Sequence, residues 1–197
     1  MEHFNDSLFL LINAPAHPSA AMLTAAHALA SYLIWLYPAV LALGWLGTGE
    51  NTRRPLLEAA LAGIVGLVIS WLIGLAWYHP RPFVIGLGHT FLHHAPDSSF
   101  PSDHLTFIWS VAFSLITNAR SRGLGIILAL VGLPVAWSRV YLGVHFPLDM
   151  AGAAIVGAVS ACVCLAGRQT FVAAAYRVAS AIHRQIFAPA IRRGWIK

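Results

Sequence analysis

Ser138-Arg139, His145 and Asp149 fall within twelve residues, five positions separating Arg139 from His145 and three separating His145 from Asp149. This run supplies a fixed cation, an imidazole and, one helical turn further on, a carboxylate. Pro101-Ser102-Asp103-His104 adds a second imidazole, and Arg81-Pro82 adds a second guanidinium. These groups suit phosphoryl transfer. Two Arg hold phosphate oxygens, two His serve for attack and proton donation, and an Asp fixes an imidazole tautomer. Singly, each has an ordinary explanation: a lone interfacial Arg usually snorkels, a juxtamembrane His usually packs, and Asp149 suits a helix N-terminus. Their joint occurrence in three separated blocks favours a site.

The elements that must carry these residues are membrane helices. Of 197 residues, 58% are hydrophobic and 10% charged, against about 25% charged in soluble domains. Five apolar runs approach the ~20 residues needed to cross a bilayer: Ala21–Leu46, Leu56–Tyr78, Ser102–Thr117, Leu124–Leu142 and Leu148–Gly167. Backbone groups in lipid have no water partner, so each span is helical. The expected fold is all-α, a single polytopic membrane domain over residues 1–197 with about five transmembrane helices. Short amphipathic interfacial helices are expected at both ends.

The net charge of +5 does not mark a nucleic-acid binder, because the cations are placed by topology. Arg53 and Arg54 follow span one, Arg120 and Arg122 follow span three, and Arg168, Arg177, Arg184, Arg192, Arg193 and Lys197 follow span five. Five crossings put all of these on one side, which the positive-inside rule makes cytoplasmic, with the C-terminus. Arg81 and Arg139 are left for the outer face, and both belong to the motifs.

The first residues lack the basic stretch of a cleavable signal peptide. Phe4, Leu8, Leu11 and Ile12 fall at helical spacing and predict an interfacial helix outside. Phe171, Val178, Ile182 and Ile186 predict an amphipathic cytoplasmic anchor rather than a sixth span. Cys162 and Cys164 fit neither a zinc quartet nor a redox pair and read as packing residues, as does His27. The loop from His79 to Pro101 holds four Pro, two Gly and four His; long loops of this kind are often functional. Its His89, His93 and His94 stay outside the expected core set. Pro134 predicts a kink before Arg139. Ser102 and Asp103 are N-cap candidates for span three, and Pro147 suits the first turn of span five. Two helix N-termini, natural phosphate cradles, then open on one face.

The three blocks in this order resemble the type 2 phosphatidic acid phosphatase superfamily. The wording His79-Pro80-Arg81-Pro82-Phe83 and Phe100-Pro101-Ser102-Asp103-His104 resembles its bacitracin-resistance branch of bacterial undecaprenyl diphosphate phosphatases. The resemblance implies that His145 attacks phosphorus to give a phosphohistidine, Asp149 fixes its tautomer, and His104 protonates the departing oxygen and then activates water. It implies that Arg81, Arg139 and Ser102 bind the phosphate, with no metal and no cofactor. Only Asp97, Asp103 and Asp149 lie near the motifs, which is not the carboxylate cluster expected for magnesium.

The chain departs from the superfamily pattern twice. Gly74 stands where the first motif commonly has Lys, and His79 is a candidate substitute. Asp103 replaces the usual Gly, either capping span three, the favoured reading, or biasing His104. The implied substrate is a polyprenyl diphosphate, cleaved at the extracytoplasmic face of the bacterial plasma membrane to recycle the cell-wall carrier lipid. A broader lipid phosphatase or phosphotransferase is the alternative, acting on phosphatidylglycerol phosphate, phosphatidate or lipid A diphosphate. A small transporter fits less well, because the ionisable residues cluster at one face. The bilayer is the one partner implied besides the substrate, and the residues carry no signal of oligomeric state.

Overall fold

A computed structural model describes residues 2–194; Lys197, grouped above with the basic tail, lies outside the described residues. The helices are α1 (Glu2–Ile12), α2 (Ala20–Tyr32), α3 (Leu36–Gly47), α4 (Glu50–Ala76), α5 (Asp103–Ile116), α6 (Arg122–Tyr141), α7 (Pro147–Ala166), α8 (Phe171–Ile186) and α9 (Ala188–Arg192). Four stretches are long and apolar enough to cross a membrane: Ala20–Gly47, Glu50–Ala76, Arg122–Tyr141 and Pro147–Gln169. The expected third span is α5, which at 14 residues falls short of the ~20 a lipid-facing span needs. Its surroundings explain this. α5 packs against α4, α6 and α7 together, and nine of its residues are buried. Protein rather than lipid encloses it, so its ends need not reach both bilayer surfaces.

Two other spans differ from the hydropathy reading. The first is broken by a 3₁₀ turn at Leu33–Trp35, between α2 and α3. The second begins earlier, at Glu50, and ends at Ala76. Hydropathy marks where the chain meets hydrocarbon, whereas hydrogen bonding carries the helix on through the polar residues Glu50-Asn51-Thr52-Arg53-Arg54. α6 continues unbroken through Pro134.

Close helix approach sets the packing of the centre. α4 buries Ala59, Ala62, Gly63, Gly66 and Ser70 on one face, small residues that let backbones come together where lipid offers no hydrophobic drive. A Cβ on Gly63 would meet the Phe107 ring of α5 at 2.7 Å, so a larger residue there requires that ring to shift. Near the same side of α5, Ser160 of α7 donates to Ser110 at 2.8 Å.

The alternating helix directions give the bundle two ends. The N-termini of α5 and α7 and the C-termini of α4 and α6 share one end with α1, which packs on α6 and α7. The opposite end holds Arg53, Arg54, Arg120, Arg122 and Arg168. There Arg168 makes a bidentate pair with buried Glu58, both contacts 2.8 Å, so this cation also ties α7 to α4. α8 lies against α4, turning Val172 and His183 inward and leaving Phe171, Val178, Ile182 and Ile186 exposed. Trp45 Nε1 donates to His183 Nδ1 at 3.1 Å.

Candidate active site

The turn between α6 and α7 is the first component of the site. α7 opens with Pro147 at its first position, where the missing N–H costs nothing. The chain reaches it through Gly143, whose φ of +82° is one that residues with a Cβ rarely adopt. A side chain there would also run into the His89 backbone. This turn delivers His145, buried, just before the helix and Asp149 within its first turn.

Asp149 Oδ2 is the hub. It accepts from Ser99 Oγ, from the Phe146 N–H at 2.8 Å and from His145 Nδ1 at 3.1 Å. The carboxylate therefore caps the helix and orients the imidazole at once. With Nδ1 bearing the proton, Nε2 of His145 carries the lone pair; Arg81 Nη1 lies 3.1 Å from it. Burial pushes His145 down to about 4, against the hydrogen bond and charge of Asp149, which hold it up, while Arg139 and Arg81 press it lower. The imidazole is neutral near pH 7, as a nucleophile requires.

The long loop after α4 is the second component. Phe91 N–H donates to the Leu142 carbonyl at 3.0 Å, and Asn13 of the α1 connection reaches the His89 carbonyl at 2.8 Å and Tyr141 at 3.1 Å. So anchored, the loop sets Arg81 under the turn. Its Nε donates to Asp97 at 2.8 Å, its Nη1 to the Val144 carbonyl at 2.8 Å and its Nη2 to the Ser98 carbonyl at 3.2 Å.

Arg139 comes from the last turn of α6 and is buried. Its Nε and Nη2 have no partner among the described residues, and neither does the buried Ser102 Oγ at the start of α5. Buried polar groups are nearly always satisfied, so donors left open beside a neutral imidazole make a ready anion cradle. The Ser102 N–H donates to the Asp149 carbonyl at 3.3 Å, which joins the starts of α5 and α7. His104, the second residue of α5, feels the charges of Arg139, His145, His94 and Arg81. The structure thus brings His104, His145, Asp149, Arg81, Arg139 and Ser102 together.

Three placements differ from the sequence reading. His79 is not in this cluster: its ring packs against Trp77 and Phe146, each 5.5 Å away between centroids, and it lines a separate cleft with Glu2 and Asn5. This packing gives no support to His79 as the substitute for the missing Lys. Ser102 holds the N-cap position of α5 but its side chain makes no capping bond. Asp103 is the first helical residue and accepts from Ser70 Oγ at 2.6 Å, so its carboxylate braces α4 rather than capping α5. Reasoning from sequence also missed Ser99, Asp97 and His94. Asp97 and His94 stand three apart in the loop, the one signal that pointed to them.

The geometry is that of a phosphatase centre at the end of a helical membrane bundle, and family comparison agrees. A model of the PAP2 superfamily matches residues 55–173, and the chain belongs to that superfamily. It is 38% identical over 200 residues to the putative undecaprenyl-diphosphatase YbjG of Escherichia coli (strain K12), covering 100% of this chain and 99% of that protein. To the undecaprenyl-diphosphatase BcrC of Bacillus subtilis (strain 168) it is 36% identical over 152 residues, 77% of this chain and 78% of that one. The crystal structure of Aquifex aeolicus LpxE superposes with a TM-score of 0.63 at 25% identity, over 82% of this chain and 94% of the other.

Proposed function

We propose that the chain hydrolyses undecaprenyl diphosphate to undecaprenyl phosphate and inorganic phosphate at the extracytoplasmic face of the bacterial plasma membrane. The observation that carries this reading is the buried His145–Asp149 pair beside Arg139, whose guanidinium keeps two nitrogens unpartnered. His145 Nε2 attacks the terminal phosphorus, an N–P bond forms, and the bond from phosphorus to the bridging oxygen breaks. Undecaprenyl phosphate departs with a proton from His104. Asp149 stabilises the positive charge that builds on the imidazole, while Arg81, Arg139 and Ser102 hold the non-bridging oxygens. His104 then takes a proton from water as that water attacks phosphorus. Phosphate leaves and the Nε2 lone pair is restored.

Two observations support a lipid substrate at this face. A cavity of about 450 Å³, lined almost wholly by apolar surface from residues including Ile34, Trp35, Leu67 and Phe107, ends at Asp103 and His104. The arginine-rich end of the bundle lies opposite the site, which under the positive-inside rule points the site outward. The similarity to proteins named as a putative undecaprenyl-diphosphatase and an undecaprenyl-diphosphatase favours the prenyl carrier within this class.

Phosphate release from purified protein in detergent tests the reading, with undecaprenyl diphosphate, phosphatidate and phosphatidylglycerol phosphate compared side by side. Undecaprenyl diphosphate is the preferred substrate, and His145→Ala abolishes its turnover while the fold persists. A preference for glycerophospholipids rejects the substrate, and a fully active His145→Ala rejects the nucleophile.

A further inference from the structure

His94 lies outside the three motifs, yet the loop brings it to the site. Its ring meets that of His145 edge-on, with centroids 6.1 Å apart. Nδ1 lies 3.1 Å from the Ala95 carbonyl oxygen and 3.6 Å from Asp97 Oδ1, so both neighbours call for a proton on Nδ1. Nε2 is then the nitrogen left for a ligand. Asp97 also holds Arg81 at 2.8 Å, so one carboxylate positions a guanidinium and an imidazole side by side. The charges of Arg81 and Arg139 both act on His94. Its side chain is 21% exposed and open to a solute.

The charge balance of the site favours an extra donor. Asp97 offsets Arg81, and Asp149 offsets the charge that develops on His145, which leaves Arg139 as the main uncompensated cation of the cradle. A diphosphate carries a second anionic group, and Gly74 offers no side chain to meet it. Burial and the charge of Arg81 lower the His94 pKa, outweighing the Asp97 carboxylate, and favour the neutral ring before a phosphate binds. A phosphate oxygen reverses that balance, drawing a proton onto Nε2 and accepting a hydrogen bond from it.

We propose that His94 is a diphosphate-recognition residue, donating from Nε2 to the phosphate that is not under attack. This rests on the phosphatase reading of the site and adds a determinant that separates diphosphates from monophosphates.

The test is calorimetric binding of methylenediphosphonate and of orthophosphate to the full-length protein in detergent. Wild type, His94→Ala and His94→Gln are compared. The alanine variant weakens methylenediphosphonate binding about tenfold or more, the loss expected for one charge-assisted hydrogen bond, and changes orthophosphate binding less than twofold. Gln places an N–H close to the position of Nε2 and restores most of the affinity. Equal losses for both ligands, or no loss for either, overturn the proposal, as does a glutamine variant as weak as alanine. Binding needs no turnover, so failure of the undecaprenyl diphosphate reading shows separately, as absent phosphate release from that lipid.

Discussion

Asp149→Asn isolates the charge of Asp149 from its geometry. If the amide oxygen takes the place of Oδ2, it still accepts from Ser99 Oγ, the Phe146 N–H and His145 Nδ1, so ring and tautomer stay as they are. The amide NH₂ then occupies the site of Oδ1, which is buried without a partner among the described residues. That costs roughly 1–3 kcal/mol of stability without abolishing the fold. Lost, too, is the negative charge 3.1 Å from His145 Nδ1. At an effective dielectric of about 20, unit charges at that distance interact by roughly 5 kcal/mol. Spread over an imidazole and a carboxylate, about half of this bears on the transition state, and a loss of roughly 2–3 kcal/mol lowers kcat about 30- to 150-fold. KM stays nearly constant, because Arg81, Arg139 and Ser102 are untouched. The hydrogen bond and charge of Asp149 hold the His145 pKa up, so the acid limb of the pH profile moves further below about 4. Initial rates of phosphate release in detergent micelles across pH read all three effects. A variant within fivefold of wild type in kcat, or one impaired through KM alone, refutes the reasoning.

Arg139→Ala lowers kcat/KM for a lipid diphosphate about 10²- to 10³-fold, and Arg139→Lys recovers only part of it, because a point charge cannot replace a planar fork; full activity of the lysine variant counts against bidentate clamping. His145 titrates near 4 by ¹⁵N NMR of labelled protein in micelles, and a midpoint above 6 contradicts its burial. The sign for stability follows. The folded pKa lies below the ~6.5 of a free imidazole, so the stabilisation is fully present above about 6.5 and lost as pH falls toward about 4. Thermal melts recorded from pH 7 to 4 track it. EDTA leaves phosphate release unchanged, since two guanidiniums and two helix N-termini supply the charge; strict recovery by added magnesium points to another mechanism.

The helix ends and their residues were legible because their spacing follows from helical geometry. Asp149 one turn past His145 and Pro147 between them specify a helix start with a histidine in front of it. Loop residues obey no such period. His79 sits two positions from Arg81, yet its ring turns away to Trp77 and Phe146, while Ser99 reaches Asp149 from a position that gives no hint of it and His94 reaches His145 with only its spacing to Asp97 as a signal. Asp103 was misplaced by a single residue, which is enough to turn a cap into a brace on Ser70. The break at Leu33–Trp35 was hidden for a different reason: the residues around it, Leu33-Ile34-Trp35-Leu36, are all apolar, so hydropathy is blind to it.

Under the proposed lipid-phosphatase function, that break marks where the polar site meets apolar surface. The cavity at His104 is bounded by Ile34, Trp35 and Pro38, residues of the 3₁₀ turn and the start of α3, and by Leu67 of α4 and Phe107 of α5. A second apolar hollow of about 380 Å³ shares Pro38 and Phe107 with it and extends along α3 to Trp45. The two hollows adjoin at Pro38 and Phe107, one reaching His104 and the other Trp45. Moving one five-carbon prenyl unit from hydrocarbon into water costs about 4 kcal/mol, at ~0.8 kcal/mol per methylene. A carrier lipid of many such units therefore reaches His104 only if its tail never leaves an apolar surface. The two hollows offer such a surface, so under the proposed function the same break that interrupts the first span is where a membrane-bound diphosphate would present its head to Arg139 and His145.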